Sequence, residues 1–243
     1  MSAYRHLHAP EDGFVFLVTY GRSGSTLTQN LLNAIPGYVI RGENGNLTQF
    51  FARAIDIVAN DDMYRWRRED LPKPRHERRP YLRPILGKPF DPWAGAERVD
   101  PDDFALSLMD LFVKKVLRPP KDCRVSGFKE IRFHQEPSFF RKHMDVLRTV
   151  FPKARIIFQH RKLEDVARSG WWKQQPQNEV LAQLGQADRM FLSYAKDHPD
   201  ACHVVNYDKL VSDKAHARQL YEFLGEEFDE ASVDAILGQA LKH

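Results

Sequence analysis

A parallel β-sheet covered on both faces by helices, an α/β protein, is what the order of elements predicts, and three observations carry that expectation. Short runs rich in β-branched and aromatic residues alternate with segments at helical spacing. The first run, which opens "VFLV", stops at a small polar loop, "TYGRSGST", and the chain resumes with leucines at helical spacing. The length of 243 residues suits one domain with a decoration, or at most two small ones.

Strands are expected at Phe14–Thr19, Arg124–Phe128, Arg155–His160 and His203–Tyr207, each followed by a polar loop or a helical pattern. Leu27, Leu31, Leu32 and Ile35 share one face of a first helix that stops before Gly37. Phe104, Leu108, Leu111 and Phe112 make another face, opened by the capping candidates Asp102 and Asp103. Further helices are expected near Ser138–Val150, Leu163–Gln174, Val180–Lys196, Asp213–Leu224 and Glu230–Leu237. There is no internal repeat. Residues 60–101 break the alternation: they hold seven of the fifteen prolines and the basic cluster "YRWRREDLPKPRHERRPYLR", which reads as an insertion on a single domain, 1–243. It suits a solvated loop, or a lid or acceptor-recognition surface for an anionic substrate, or a weak RNA contact through Trp66 and the arginines.

Composition narrows the class. Hydrophobic residues at 42% and charged residues at 28% are ordinary for a soluble globular chain. No apolar run approaches the roughly 20 residues that span a bilayer, and "MSAYRHLHAPEDG" lacks the apolar core of a signal peptide. Cys123 and Cys202 are far apart and fit reduced thiols in a cytoplasmic setting. A net charge of +3 favours an anionic ligand without implying nucleic acid. The histidines show no metal-ligand pairing, so no metal is expected.

The loop carries the chemistry. A strand that ends in a Gly- and Ser-rich turn and opens a helix aims backbone N–H groups and the positive end of the helix dipole at one point, where an anion binds. Against the G-x-x-x-x-G-K-[ST] triphosphate loop, aligning Gly24 and Thr26 puts Ser25 in the lysine place and Thr19 in that of the first glycine. Arg22 is the loop's cation. A triphosphate with bound Mg²⁺ fits poorly; a smaller anionic group held by amides, hydroxyls and one guanidinium fits better.

"TYGRSGSTL" resembles the 5′-phosphosulfate loop of sulfotransferases that use 3′-phosphoadenosine 5′-phosphosulfate (PAPS), roughly T-Y-P-[KR]-S-G-[ST]-[ST], with Gly21 in the proline place. Arginine at position 22 is similar to the carbohydrate, tyrosylprotein and bacterial branches. "ARIIFQHRKLEDVARSGWW" is similar to the family's 3′-phosphate motif, R-[ND]-P-x-D-x-x-x-S, through Arg161, Asp165 and Ser169; Lys162 and Leu163 replace the usual Asn-Pro pair. "HVVNYDKLVSD…RQLYEFLG" matches the family's strand, Y-[ED]-x-L turn and helix. The likeness covers about residues 13–45 and 123–228 and is weak or absent over 60–101.

The resemblance implies the P-loop-containing nucleoside triphosphate hydrolase-like (sulfotransferase) fold, a three-layer α/β/α sandwich with a central parallel sheet. It implies PAPS as sulfuryl donor, 3′-phosphoadenosine 5′-phosphate (PAP) as product, and no metal. Arg22, Ser23, Gly24, Ser25 and Thr26 would hold the 5′-phosphosulfate, and Arg161 and Ser169 the 3′-phosphate, with Ser169 two turns along the following helix. Glu43 in "VIRGENGN" matches the catalytic glutamate of the tyrosylprotein branch; the bland alternative is a loop glutamate that caps or pairs with Arg41. Lys129 in "RVSGFKEIRF" resembles a basic residue that stabilises the leaving oxygen. Glu130 is an alternative base, with Arg132 beside it. Tyr207 contacts the nucleotide or packs the corner. The cytosolic branch's later R-K-G triplet has no counterpart in "LGQALKH", so that contact is missing or replaced. The acceptor (carbohydrate, lipid headgroup, peptide tyrosine or small alcohol) and the oligomeric state are not encoded in any readable motif. A small-molecule P-loop kinase and a non-catalytic nucleotide- or anion-binding module are the rival readings.

Overall fold

The computed structural model describes residues 3–240. Among them, β1 (Gly13–Val18), β2 (Tyr38–Arg41), β3 (Val125–Glu130), β4 (Arg155–His160) and β5 (Cys202–Asn206) form one sheet in the order β2-β3-β1-β4-β5. Every pairing is parallel, so the carboxyl ends of all the strands share one edge. The helices are α1 (Ser25–Ala34), α2 (Leu47–Asn60), α3 (Asp62–Asp70), α4 (Pro101–Phe112), α5 (Phe140–Val150), α6 (Leu163–Ala167), α7 (Gln177–Asp197), α8 (Tyr207–Ser212), α9 (Lys214–Leu224) and α10 (Glu230–Ala240). No helix among the described residues is long and apolar enough to cross a membrane.

The three layers follow from alternation along β1, whose residues are all buried. Phe14, Phe16 and Val18 join one core with residues of α4, α5 and α7; Val15 and Leu17 join the other with residues of α1 and α9. In the first core Phe14 meets Phe151 edge-on at 4.9 Å and Phe16 meets Phe128 at 5.1 Å, offset geometries that aromatic quadrupoles favour.

The four expected strands are present within a residue or two. β3 runs on to Glu130, which takes Lys129 into the sheet. β2 is a four-residue edge strand outside the expected set, too short for its alternation to stand out. The helix α4 opens on Asp100 rather than on the expected Asp102 or Asp103. The Asp100 carboxylate accepts both of their N–H groups at 2.9 Å, and Pro101 takes the first helical position. On the same helix Leu111 points outward. The expected helix over 163–174 is interrupted: α6 stops at Ala167, Ser169 is extended, and Gly170 takes a left-handed φ of 56° before a 3₁₀ turn over Gly170–Gln174.

The insertion is more ordered than its composition suggests. It contains α3 and closes on two ion pairs, a buried one from Arg67 Nη2 to Asp91 Oδ1 at 2.8 Å and a half-buried one from Arg79 Nη1 to Asp70 Oδ1 at 2.6 Å. Among the described residues, no hydrogen bond or ion pair joins residues 60–101 to Arg22, Glu43, Lys129 or Arg161.

Candidate active site

The residues singled out from the sequence gather along the carboxyl edge of the sheet, where open α/β sheets bind ligands. Glu43 follows β2, Lys129 and Glu130 end β3, Arg22–Thr26 follow β1, Arg161 follows β4 and Tyr207 follows β5. With strands ~4.8 Å apart, the line from Glu43 to Arg161 crosses β2, β3, β1 and β4, roughly 10–15 Å.

The loop after β1 is a nest of amides. Arg22 and Gly24 both take positive φ, 69° and 79°, which turns successive N–H groups to one side. The first bond of the turn runs from Leu27 N–H to Gly24 O at 3.0 Å. Among the described residues, the N–H groups from Arg22 to Thr26 donate to no loop carbonyl, and α1 has no side-chain cap. The loop is fixed from beneath. Thr19 Oγ1 bonds Ser23 Oγ at 2.8 Å and Gln159 O at 2.9 Å, and Gln159 Nε2 donates to Ser23 O at 2.8 Å. Ser23 is therefore buried as part of the frame, and its amide rather than its hydroxyl faces the nest.

Two aromatic groups flank the loop. A Cβ at Gly24 would lie 2.1 Å from the Tyr207 ring, and one at Gly21 would lie 2.2 Å from Trp171. The indole of Trp172 donates to Gly21 O at 2.9 Å. Tyr207 carries Arg161 on its ring, with the guanidinium carbon 4.6 Å from the centroid.

Arg161 is braced rather than loose. Its backbone N–H donates to the Tyr20 hydroxyl at 3.0 Å, and that hydroxyl lies 3.2 Å from Arg161 O. Burial pushes the Tyr20 hydroxyl far above its ordinary value, so it stays protonated. Asp208 accepts Lys162 N–H at 2.8 Å and sits 3.7 Å from Arg161 Nε. That Nε is buried and makes no hydrogen bond in the protein, with the Asp208 carboxylate just beyond hydrogen-bond reach. Arg22 Nε donates to Ser169 Oγ at 3.0 Å, and Arg161 Nη1 donates to Arg22 O at 3.4 Å. The two arginines and Ser169 therefore converge, and the break at Gly170 is what brings Ser169 there.

At the other end Lys129 Nζ donates to Glu43 Oε1 at 2.8 Å, and the alternative Glu43–Arg41 pairing does not form. Arg41 instead donates to the carbonyls of Leu117 and Arg118. The lysine side chain is 11% exposed and the glutamate 32%, so the carboxylate is the solvent-facing partner. Glu130 is fully buried and spends its carboxylate on backbone N–H groups of Asn44, Asn46 and Ile131.

Tyr20, Gln159, Trp171, Trp172 and Asp208 were not singled out from the sequence. All five lie inside quoted motifs, but none matches a motif position that carries a contact, and the two tryptophans gave no signal beyond following Ser169. The last residues, 241–243, lie outside the described part, so the end of "LGQALKH" is not placed. Among the described residues no group of three His, Cys, Asp or Glu side chains is gathered as a metal site. A cleft of about 470 Å³ lined by Phe14, Tyr38, Arg124, Arg155 and Glu226 sits at the opposite, amino edge of the strands. Arg124 there is saturated by Glu226 and Asp12, and none of the candidate residues reaches it.

The profile of the sulfotransferase family matches residues 15–230. The fold is similar to the sulfotransferase domain from the Synechococcus PCC 7002 olefin synthase, with a TM-score of 0.53 and 19% identity over 90% of this chain and 75% of that one. It is also similar to the sulfotransferase domain from the curacin biosynthetic pathway, with a TM-score of 0.51 and 16% identity over 95% of this chain and 78% of that one. No curated protein sequence matches the chain.

Proposed function

The chain belongs to the sulfotransferase family, and on that footing we propose that it takes PAPS as donor and a hydroxyl or amine acceptor beside Glu43. The observation that carries the reading is the sharing of one sheet edge by an amide nest with two convergent arginines and a Lys129–Glu43 pair, Lys129 on the neighbouring strand and Glu43 one strand beyond it. The donor's two anionic groups fit what is there: open amides in the nest, and an Arg161 guanidinium resting on Tyr207 whose Nε makes no hydrogen bond in the protein.

When bound, PAPS supplies an activated sulfuryl group for in-line transfer. The amides of Arg22, Ser23, Gly24, Ser25 and Thr26, with the Arg22 guanidinium, hold the 5′-phosphosulfate. Arg161 and Ser169 would hold the 3′-phosphate, with Arg22 Nε beside them on the Ser169 hydroxyl. Tyr207 walls the nucleotide side by filling the space over Gly24 and supporting Arg161. Glu43 takes the acceptor proton at its exposed carboxylate. Lys129, held against Glu43 and at the edge next to the nest, offsets the charge that grows on the leaving side, together with Arg22. The saturation of Glu130 by backbone donors favours Glu43 over Glu130 as the base.

The test is transfer of labelled sulfate from PAPS to carbohydrate, lipid, tyrosyl-peptide and small-alcohol acceptors, with Glu43→Ala and Arg161→Ala as controls. Glu43→Ala should lose ~10²–10⁴ in kcat and keep PAP binding. Arg161→Ala, deprived of a charged hydrogen bond worth about 1.5–3 kcal/mol, should weaken PAP roughly 10- to 100-fold. Unchanged PAP affinity in Arg161→Ala removes the 3′-phosphate assignment. ATP turnover dependent on Mg²⁺, with no transfer from PAPS, replaces the reading with a kinase.

A further inference from the structure

We propose that Glu130 is the positioning residue that sets Glu43 against the donor loop, an inference that rests on the reading of Glu43 as base. Glu130 ends β3 and is fully buried. Its main chain and its side chain hold different parts of the site. The carbonyl accepts Thr19 N–H at 3.2 Å, at the root of the amide nest. Carboxylate Oε2 accepts Asn46 N–H at 2.7 Å and Asn44 N–H at 3.2 Å, while Oε1 accepts Ile131 N–H at 2.9 Å with Arg132 Nη1 3.7 Å away.

The segment that carries Glu43 needs such a hold. Between β2 and α2 the chain reads Gly42, Glu43, Asn44, Gly45, Asn46, and both Gly45 and Asn46 take positive φ, 74° and 57°. Two glycines in so short a stretch leave many backbone states open. The Glu130 carboxylate ties the N–H on each side of Gly45 to one oxygen, which fixes the turn immediately after Glu43. Lys129, one residue earlier on the same strand, then fixes the Glu43 carboxylate itself.

The side-chain chemistry explains why a buried charge is kept here. Three N–H donors converge, and an ionised carboxylate offers two acceptor oxygens and no donor. A glutamine of the same length turns one of those oxygens into a donor and sets N–H against N–H. An aspartate keeps both acceptors and falls one methylene short. Because a base displaced by about 1 Å can lose ~10²-fold in rate, one residue that bonds both the donor loop and the base loop fixes the relation on which transfer depends.

The test is amide hydrogen exchange across residues 42–47 in the full chain, compared between wild type, Glu130→Gln and Glu130→Asp, with kinetics alongside. In the wild type the Asn46 N–H should exchange as slowly as β3 amides despite lying in a loop. Glu130→Gln should speed exchange over 42–47 by tenfold or more. It should also lower kcat by ~10- to 100-fold and displace the base limb of the pH–rate profile, leaving acceptor KM and PAP affinity within about threefold, because the Thr19 bond is to the main chain. Glu130→Asp should recover part of the protection and part of kcat. Fast exchange of Asn46 in the wild type, or unchanged exchange in Glu130→Gln, overturns the proposal. So does a kcat loss in Glu130→Gln as deep as in Glu43→Ala without faster exchange, since that would make Glu130 the base. An absence of transfer from PAPS in the wild type would instead overturn the proposed function, and the exchange data would still decide the role of Glu130.

Discussion

Gly24 is the place where the donor loop can be perturbed by a single carbon atom. It holds φ 79° and ψ 15°, a left-handed conformation that costs an alanine about 1–2 kcal/mol. The added Cβ would lie 2.1 Å from Tyr207 Cε2 and 2.4 Å from Cδ2, so the ring has to move. That ring supports the Arg161 guanidinium, a cation–π contact worth about 0.5–1 kcal/mol at an exposed site. Together these give Gly24→Ala a destabilisation of about 1.5–3 kcal/mol. At ~2–4 °C per kcal/mol for a chain of this size, the thermal midpoint falls by about 3–12 °C. PAP affinity should fall with it, because the amide nest and Arg161 are both displaced. The assay is thermal unfolding and PAP titration calorimetry on a double-mutant cycle with Tyr207→Ala. In the Tyr207→Ala background the cost of Gly24→Ala should shrink to the backbone part, about 1–2 kcal/mol. An equal cost in both backgrounds would refute the packing of Tyr207 on Gly24, and no cost at all would refute the left-handed loop.

Two predictions concern stability. Asp91→Asn leaves the Arg67 guanidinium buried without its counter-charge and should destabilise the chain by about 3–5 kcal/mol by denaturant titration; a loss under 1 kcal/mol would show the pair to be solvated. The arginine hydrogen bond holds the Asp91 carboxyl below the usual carboxylate range, so its contribution is present above about pH 4 and disappears only on further acidification. His143 and His134 behave differently. Burial lowers them to about 3 and about 4, so the folded chain keeps both neutral where the unfolded chain protonates near pH 6.5. Protons therefore favour the unfolded state throughout that window. Stability should fall by ~1.4 kcal/mol per pH unit for each histidine as pH drops below 6.5. His143→Gln should flatten that slope, and an unaltered slope would mean that His143 is hydrated.

Much of the donor end was legible from sequence because its geometry is local. A strand, a glycine at positive φ and a helix start within a dozen residues, and Arg161 is placed by a strand end that hydrophobicity alone reveals. The acceptor end was less legible because its parts lie far apart in the chain. Glu43 and Lys129 meet across 86 residues, and only the parallel pairing of β2 with β3 brings them together. Whether Glu130 or Glu43 faces solvent depends on three backbone donors, which leave no pattern in side-chain identity. Ser169 stands out in the sequence for its type and spacing, but its helical placement was wrong, because α6 ends at Ala167 and a new turn begins at Gly170. The insertion reads as irregular because its order comes from paired charges, Arg67 with Asp91 and Arg79 with Asp70, rather than from periodic apolar residues.

The contact between Gly21 and Trp171 constrains how the two positions can vary among relatives. At position 21 any side chain would enter the space of an indole that Trp172 anchors next door through the Gly21 carbonyl. A proline there, as the resemblance would suggest, requires the tryptophan to give way. Substitutions at the two positions should therefore arise as a linked pair. A relative with proline at the first should carry a smaller residue at the second, which makes the pairing a marker for sorting subgroups of the family from sequence.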